Sequence, residues 1–238
     1  MTTETTDSNT ANITPTIAQL LALAQEAILQ RRSTEAAGYC KQLLAQPHLS
    51  NSDTDSVYAI YCRALDDLLQ YDEILRQVEQ WATATQTPTG SIDALIVKGR
   101  TLRRKGEVEP AMRLLDEAVA LAAPIHYTTA ITTANRYRAD IMLTLGDADR
   151  ALALTRQSLR INEEAQDVTG QIETLTLLQI IYSVMGQFYK AIQVGLKGEK
   201  LCDITDNRSA RYLIYNNLGE SYQGIYATDY ALRYHRQA

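Results

Sequence analysis

The chain has 238 residues, 45% of them hydrophobic, and a formal net charge of −5. This length suits one large domain or an array of repeats, and the apolar content is enough for a continuous core. The negative charge argues against a dedicated nucleic-acid-binding protein, because such proteins neutralise phosphates with lysine and arginine. No apolar run is long enough to cross a bilayer as a helix, so no membrane insertion is expected.

The first residues, MTTETTDSNTANIT, are polar and of low complexity. We predict that residues 1–14 form a disordered tail, since they offer almost nothing to bury. They also lack the basic and apolar regions of a signal peptide. The three cysteines, Cys40, Cys62 and Cys202, are far apart and follow no metal or redox spacing. The sequence therefore predicts a cytoplasmic protein without a metal or cofactor.

Residues 15–238 are predicted to be helical, because glycine and proline are sparse, with 11 and 5 copies in the chain. Four sets of residues recur with a common step of 40 positions in the C-terminal part. The first set consists of alanines, and the second consists mainly of glycines at predicted turns. The third set consists mostly of small residues, and the fourth consists of large ones. In that order they are Ala111, Ala151, Ala191 and Ala231; Gly106, Gly146 and Gly186, with Tyr226 in the last copy; Gly99, Ala139, Gln179 and Gly219; and Leu102, Met142, Tyr182 and Tyr222. A fixed period of this kind indicates stacked structural units.

Each unit is predicted to be a pair of antiparallel helices. An apolar helical stripe runs into a glycine, which ends the first helix at little conformational cost. A second helix follows, as in EVEPAMRLLDEAVALA, and the short turn between the two forces them antiparallel. The fold class is therefore predicted to be all-α.

This pattern resembles the tetratricopeptide repeat (TPR) family, in which L-G-x-x-Y in a first helix precedes a glycine turn and A-x-x-x-F. Leu218, Gly219, Tyr222 and Ala231 match it. A second match is Tyr182, Gly186, Phe188 and Ala191. The resemblance implies a right-handed superhelical solenoid of antiparallel helix pairs. The long period is similar to that of kinesin light chains and bacterial peptide-sensing regulators.

Two units nearer the N-terminus match less closely. In one of them Cys62 takes the small position and Leu65 the large one, and Ile74 replaces the expected alanine. Residues 15–238 are thus interpreted as about six helix pairs, the last of them truncated. Stacked repeats need a polar cap, so we expect this chain to be part of a longer protein. The resemblance implies an output module such as a nucleotide cyclase, histidine kinase, ATPase or transcription regulator, which could itself be enzymatic.

The sequence contains no catalytic motif. It has no phosphate-binding loop, zinc-protease motif or nucleophile elbow. Its three histidines, His48, His126 and His235, lie in different predicted units. We therefore predict a non-catalytic module that recognises a protein or peptide segment.

The first helices of TPR arrays line a groove, so the resemblance places candidate binding residues on those helices. Arginine suits carboxylates and phosphates, which predicts an acidic peptide or a carboxyl terminus as partner. The alternative is a solvated face with internal pairs, such as Arg136 with Asp140, or Asp66 and Asp67 with Arg103 or Arg104. The candidates on this face are Arg63, Arg100, Arg103, Arg104, Arg136, Asp140 and Glu220.

Asn216 and Asn217 are two further candidates, because asparagine is a poor residue for the middle of a helix. One interpretation is that their amides bind the backbone of a peptide. The other is that they bond to a neighbouring helix or to a following repeat.

Two further hypotheses for the function remain open. One is a small-molecule sensor with a closed pocket lined by Tyr137, Tyr182 and Tyr222, although core packing also accounts for these residues. The other is a scaffold that self-associates through its C-terminal end.

Overall fold

The computed structural model describes residues 15–205 and 207–238, apart from the side chain of Ser209. The predicted disordered tail, residues 1–14, lies outside the described residues. Throughout the described part the secondary structure is helical, with no strand. The α-helices are α1 Ile17–Leu29, α2 Ser33–Leu44, α3 Asn51–Asp67, α4 Tyr71–Ala84, α5 Pro88–Arg104, α6 Val108–Ala122, α7 Thr128–Thr144, α8 Ala148–Glu164, α9 Val168–Val184, α10 Phe188–Thr205, α11 Arg208–Gly224 and α12 Thr228–Gln237, with a short 3-10 helix, Ala123–Ile125, after α6.

The chain divides into two compact units, Met1–Thr85 and Gln86–Ala238. The first unit contains α1 to α4, and each of these helices packs against the next. Its core includes Trp81, whose ring stacks on Tyr58 with a centroid distance of 6.0 Å. The Trp81 indole N–H donates to the Asp55 carboxylate over 2.7 Å. This bond satisfies the indole N–H of a fully buried side chain.

The second unit contains four helix pairs, α5/α6, α7/α8, α9/α10 and α11/α12. Each first helix packs against its own second helix, and successive first helices pack against each other, α5 with α7, α7 with α9 and α9 with α11. The first helices begin at Pro88, Thr128, Val168 and Arg208, 40 residues apart, which is the period read from the sequence. The prediction of an all-α, TPR-like array of antiparallel helix pairs is therefore confirmed.

The turns inside the pairs share one backbone conformation. Gly106, Gly146 and Gly186 have φ of +83°, +84° and +70°, as predicted for residues that end the first helix. Tyr226 adopts φ of +60° in the last pair, and Arg31 and Leu69 do the same in the first unit, at +57° and +56°. A left-handed conformation costs a non-glycine residue roughly 1–2 kcal/mol. Packing of the two helices therefore imposes this turn even where no glycine makes it easy.

Two facing positions set the distance between the helices of a pair. A Cβ added to Gly99 would lie 2.9 Å from Cγ of Leu115 on the second helix. A Cβ on Gly219 would lie 2.5 Å from the ring of His235. In the α9/α10 pair the large residue is on the first helix and the small one on the second. A Cβ on Gly195 would lie 2.3 Å from the amide of Gln179. One of the two facing residues is thus kept small.

Ala139 and Thr155 hold the same positions in the α7/α8 pair, each 40 residues before Gln179 and Gly195. They divide the available volume more evenly between the two helices. The Gln179/Gly195 contact also costs desolvation free energy. The Oε1 atom of Gln179 is buried and has no hydrogen-bond partner among the described residues.

All three cysteines are free thiols buried in the core. Burial raises the pKa of the Cys40 thiol to about 12. These buried side chains act as small apolar residues of the core. Among the described residues no helix is long and apolar enough to cross a membrane.

The facing positions generate a test of the packing. We expect Gly195→Thr to destabilise the protein by about 1–3 kcal/mol, because the new side chain meets both Gln179 and Leu218 in a filled space. The double variant Gln179→Ala, Gly195→Thr recreates the Ala139/Thr155 arrangement and should recover most of this loss. Urea unfolding followed by circular dichroism measures both. A double variant no more stable than Gly195→Thr alone would contradict the volume argument.

Candidate functional site

Ion pairs cross between successive first helices in the second unit. Arg103 of α5 contacts Asp140 of α7, with 2.5 Å between Nη1 and Oδ2. Arg136 of α7 contacts Glu173 of α9, with 3.3 Å between Nε and Oε2. These side chains are only partly exposed, so they hold defined positions. We call the surface formed by the first helices α5, α7, α9 and α11 the first-helix face. These ion pairs join other partners than the internal pairs suggested by the sequence, which were Arg136 with Asp140 and Asp66 or Asp67 with Arg103 or Arg104.

Tyr137 of α7 is buried next to Arg136. Arg136 donates from Nη2 to the Tyr137 hydroxyl over 3.2 Å, and its guanidinium carbon lies 4.4 Å from the ring centroid. Arg100 of α5 hydrogen-bonds the same hydroxyl. Two guanidinium groups from adjacent first helices therefore converge on one phenol oxygen. We call Arg100, Arg103, Arg136, Tyr137 and Asp140 the arginine cluster.

The electrostatics of Tyr137 reflect this convergence. Burial opposes ionisation and raises its pKa, but the charges of Arg136 and Arg100 and their hydrogen bonds to the hydroxyl act more strongly. The net result is a pKa below the ordinary tyrosine value of 10.0. The pKa of Arg136 is raised: burial works against its charge, but Tyr137 and Glu173 more than compensate. The cluster therefore keeps its positive charge although it is largely shielded from water.

Two predicted arginines, Arg63 and Arg104, are not among the residues that define the arginine cluster. Arg104 is exposed at the end of α5, close in sequence to the cluster. Arg63 is exposed on α3 and belongs to the first unit. The structure thus brings Arg100, Arg103 and Arg136 together with Asp140.

The candidate residues on α11 form a separate group. Asn216 donates from Nδ2 to Oε1 of Glu220 over 3.2 Å, one turn along the same helix. The Asn217 backbone oxygen accepts from Ser221, whose hydroxyl also lies 3.0 Å from that of Ser183 on α9. Asn216 is thus engaged within its own helix, which neither sequence interpretation anticipated.

The three tyrosines of the small-molecule hypothesis occupy separate environments. Tyr137 lies in the arginine cluster, whereas the Tyr182 hydroxyl accepts from Arg156 of α8 over 2.6 Å. Tyr222 stacks against Tyr230 and Tyr234 of α12, with centroid distances of 5.1 and 5.5 Å. In the described structure these three side chains therefore do not line a common closed pocket.

A polar cleft that the sequence analysis did not identify lies beside the arginine cluster. It has a volume of about 210 Å³ and opens between α7 and α9, next to the end of α8. We call it the threonine cleft, because five of its lining residues are threonines. The lining consists of Thr129, Thr132, Thr133, Arg136, Asn162, Asp167, Thr169, Gly170, Glu173 and Thr174.

The floor of the threonine cleft is a hydrogen-bonded network. Buried Asn162 donates from Nδ2 to Oγ1 of Thr174 over 2.9 Å. The Thr174 hydroxyl donates in turn to the Gly170 carbonyl over 2.7 Å. Asp167 caps α9 by accepting from the Gly170 amide. These bonds fix the polar groups in place before any ligand arrives.

Within the described residues, no group of three or more histidine, cysteine or carboxylate side chains is placed to hold a metal ion. The face carries fixed guanidinium groups, hydroxyls and an amide, groups that form hydrogen bonds and charge-assisted contacts.

Comparison with known proteins supports the fold. No family model matches the sequence, and no curated protein matches it either. Among solved structures, the Rap conjugation gene regulator of plasmid pLS20, in complex with the Phr* peptide, has a TM-score of 0.78 and 14% identity, covering 98% of this chain and 67% of that one. The TPR-like repeats of a Podosopora anserina kinesin light chain give 0.56 and 17%, covering 80% of this chain and 96% of that one.

A third similar structure is a signal transduction ATPase with a TPR sensor from Pyrococcus horikoshii, with a TM-score of 0.66 and 12% identity. The match covers 93% of this chain but only 35% of that one. The chain therefore spans about a third of that protein's length. At these identities the likeness establishes a TPR-like helical repeat array and nothing about activity.

The arginine cluster generates a prediction about pH. Because the folded-state pKa of Tyr137 lies below that of the unfolded chain, its ionisation favours folding. This contribution is complete above the unfolded-state pKa and is lost as the pH falls through the folded-state pKa. In the interval between the two, we expect the free energy of unfolding of the wild type to rise with pH relative to Tyr137→Phe. A titration of phenolate absorbance should also lose its earliest step in Tyr137→Phe.

The matched control is Tyr58→Phe. Burial raises the pKa of Tyr58, so this variant should keep the early ionisation step and lose a late one. An early step that persists unchanged in Tyr137→Phe would show that the two arginines do not act on this hydroxyl.

Proposed function

We propose that this chain is a non-catalytic recognition module that binds an acidic protein or peptide segment. The observation that carries the proposal is the arginine cluster, in which guanidinium groups from α5 and α7 are held on the first-helix face of the second unit. A local cationic site is notable on a chain with a net charge of −5. We further propose that the module is the sensor or adaptor part of a larger cytoplasmic signalling protein.

The cluster suits binding because its donors are already positioned. Tyr137 and Asp140 restrain the guanidinium groups, so little side-chain entropy remains to be lost on association. Planar guanidinium groups bind carboxylates through paired hydrogen bonds. A ligand carboxylate could replace Asp140 or Glu173, which are both partly exposed. The similar Rap structure was solved with a peptide bound, which supports a peptide as the ligand class.

Charge reversal on α5 tests the proposal. We expect a fluorescein-labelled pool of short peptides rich in aspartate and glutamate to bind the wild type. Binding should weaken at least about tenfold in Arg100→Glu with Arg104→Glu, and less in Arg104→Glu alone, because Arg104 lies outside the cluster. It should also weaken with rising salt, because the groups are partly exposed. Fluorescence anisotropy measures the dissociation constants.

The matched control is Arg113→Glu with Arg160→Glu, which makes the same charge change on exposed positions of α6 and α8. This variant should bind the acidic pool far better than the α5 variant does. Equal losses in both variants would reduce the effect to net charge and reject a defined binding face. No binding of the pool by the wild type would reject an acidic ligand.

A second candidate function is self-association through the outer face of α11 and α12. Tyr230 and Leu232 on this face are 53% and 49% exposed. Leu232 stands 40 residues after Ile192, which is buried against Ile214 and Leu218 of the following pair. Leu232 thus exposes a position that interior pairs use for stacking. A second copy of the chain could cover it.

Light scattering over a range of protein concentrations tests this second candidate. We expect a mass that rises with concentration in the wild type and stays at that of one chain in Leu232→Lys. The control Leu145→Lys changes a similarly exposed leucine outside this face and should associate like the wild type. A wild type that remains monomeric at every concentration would reject the second candidate.

A further inference from the structure

We infer that the threonine cleft is a subsite for a neutral hydrogen-bonding side chain of the bound peptide, namely asparagine, glutamine, serine or threonine. This inference rests on the proposed peptide-binding function and specifies part of its ligand. It is carried by the internal repeat, because the cleft is polar where the other helix pairs are apolar.

The repeat register shows the departure at the cleft floor. Asn162 stands 40 residues from Ala122 and from Cys202. All three residues are buried at the end of a second helix, yet only the middle one is polar. Its partner Thr174 stands in the same way between Ala134 and Ile214, which are both fully buried. A pair that is apolar on either side is thus replaced by a hydrogen-bonded amide and hydroxyl.

Thr132 shows a third departure in the cleft wall. It stands 40 residues from Ile92 and from Ile172, and these two isoleucines are among the largest fully buried side chains. An isoleucine in place of Thr132 would project into the space that forms the cleft. Burying polar groups costs free energy compared with the apolar alternative that the repeat uses elsewhere. Departures of this kind from a structural pattern are expected at functional sites.

The charged groups of the lining already have partners, because Arg136 contacts Glu173 and Asp167 accepts from the Gly170 amide. Arg136 supplies a cation, whereas Glu173 and Asp167 supply two carboxylates. The carboxylates oppose an anionic ligand group, and Arg136 opposes a cationic one. Threonine hydroxyls donate and accept, as the amide or hydroxyl group of a neutral polar side chain does. The neutral group therefore suits this lining better than a charged one.

The size of the cleft favours a single side chain. Its volume of about 210 Å³ is below the roughly 300–1,000 Å³ of pockets that enclose drug-sized molecules. No aromatic residue is part of its lining, so it provides no stacking surface for a ring. A side chain the size of glutamine or smaller matches these limits.

Arg136 connects the cleft with the arginine cluster. Its guanidinium contacts Tyr137 of the cluster and Glu173 at the cleft rim. A peptide whose carboxylates bind the cluster thus passes directly beside the cleft. The ligand would carry an acidic residue and, a short distance along the peptide, a neutral polar one.

The repeat itself supplies variants that should fold. Thr132→Ile restores the residue found at the same position in α5 and α9, and it fills the cleft. Asn162→Ala with Thr174→Ala recreates the Ala122/Ala134 pair and removes both polar groups together, so neither is left unpaired. Thr144→Ile makes the same change as the first variant at an exposed position further along α7, away from the cleft.

The experiment uses labelled acidic peptides that differ at one position, which carries asparagine, glutamine, serine, threonine, alanine, leucine, aspartate or lysine. Each position of the peptide is varied in turn, and anisotropy gives the affinities for the full chain. We expect the wild type and Thr144→Ile to prefer the neutral polar residues over alanine by about tenfold at one position. Thr132→Ile and the Asn162→Ala, Thr174→Ala variant should lose this preference.

Both cleft variants should keep the binding that depends on the arginine cluster, since its residues are unchanged. A preference that survives in Thr132→Ile would overturn the subsite while leaving the proposed function intact. The absence of any preference in the wild type would do the same. If no acidic peptide binds, the proposed function fails and the subsite fails with it.

Discussion

The close contact between the two helices of each pair is the constraint on which the rest of the second unit depends. Gly99 faces Leu115, Gly219 faces the His235 ring, and Gln179 faces Gly195, so each contact accommodates one bulky residue. Which helix carries it is free to change, but the combined volume is not. Because this contact fixes the distance within a pair, the outward residues of the first helices also acquire fixed positions.

Fixed positions allow polar side chains to link neighbouring first helices instead of moving freely in solvent. Arg103 and Asp140 connect α5 to α7, Arg136 and Glu173 connect α7 to α9, and Ser183 and Ser221 connect α9 to α11. Isolated surface ion pairs add little stability. The three links described here matter for position instead, because they hold guanidinium groups and hydroxyls in a defined pattern on one face. Such a pattern is what the proposed recognition surface requires.

The sequence predicted the fold well and the site only in part. A regular step of 40 residues reveals the helix pairs of the second unit, since packing demands small residues at the same places. The same register predicts that Arg100, Arg103 and Arg136 lie on one face of the first helices. It could not predict that Arg136 reaches Glu173, because this contact depends on how α7 and α9 are staggered. The signal for the threonine cleft was present, as Asn162 and Thr132 break the apolar register, but only the structure shows that these residues are neighbours.

The left-handed turn inside each pair shows how such proteins can drift from a recognisable pattern. Arg31, Leu69 and Tyr226 adopt the same conformation as the turn glycines. Consensus glycine therefore eases this turn but does not define it, and tertiary packing preserves the backbone after the residue has changed. A search that scores consensus residues will miss pairs of this kind. Architecture can thus outlast the sequence signature, which fits a chain that no family model matches and yet shares its fold with many solved structures.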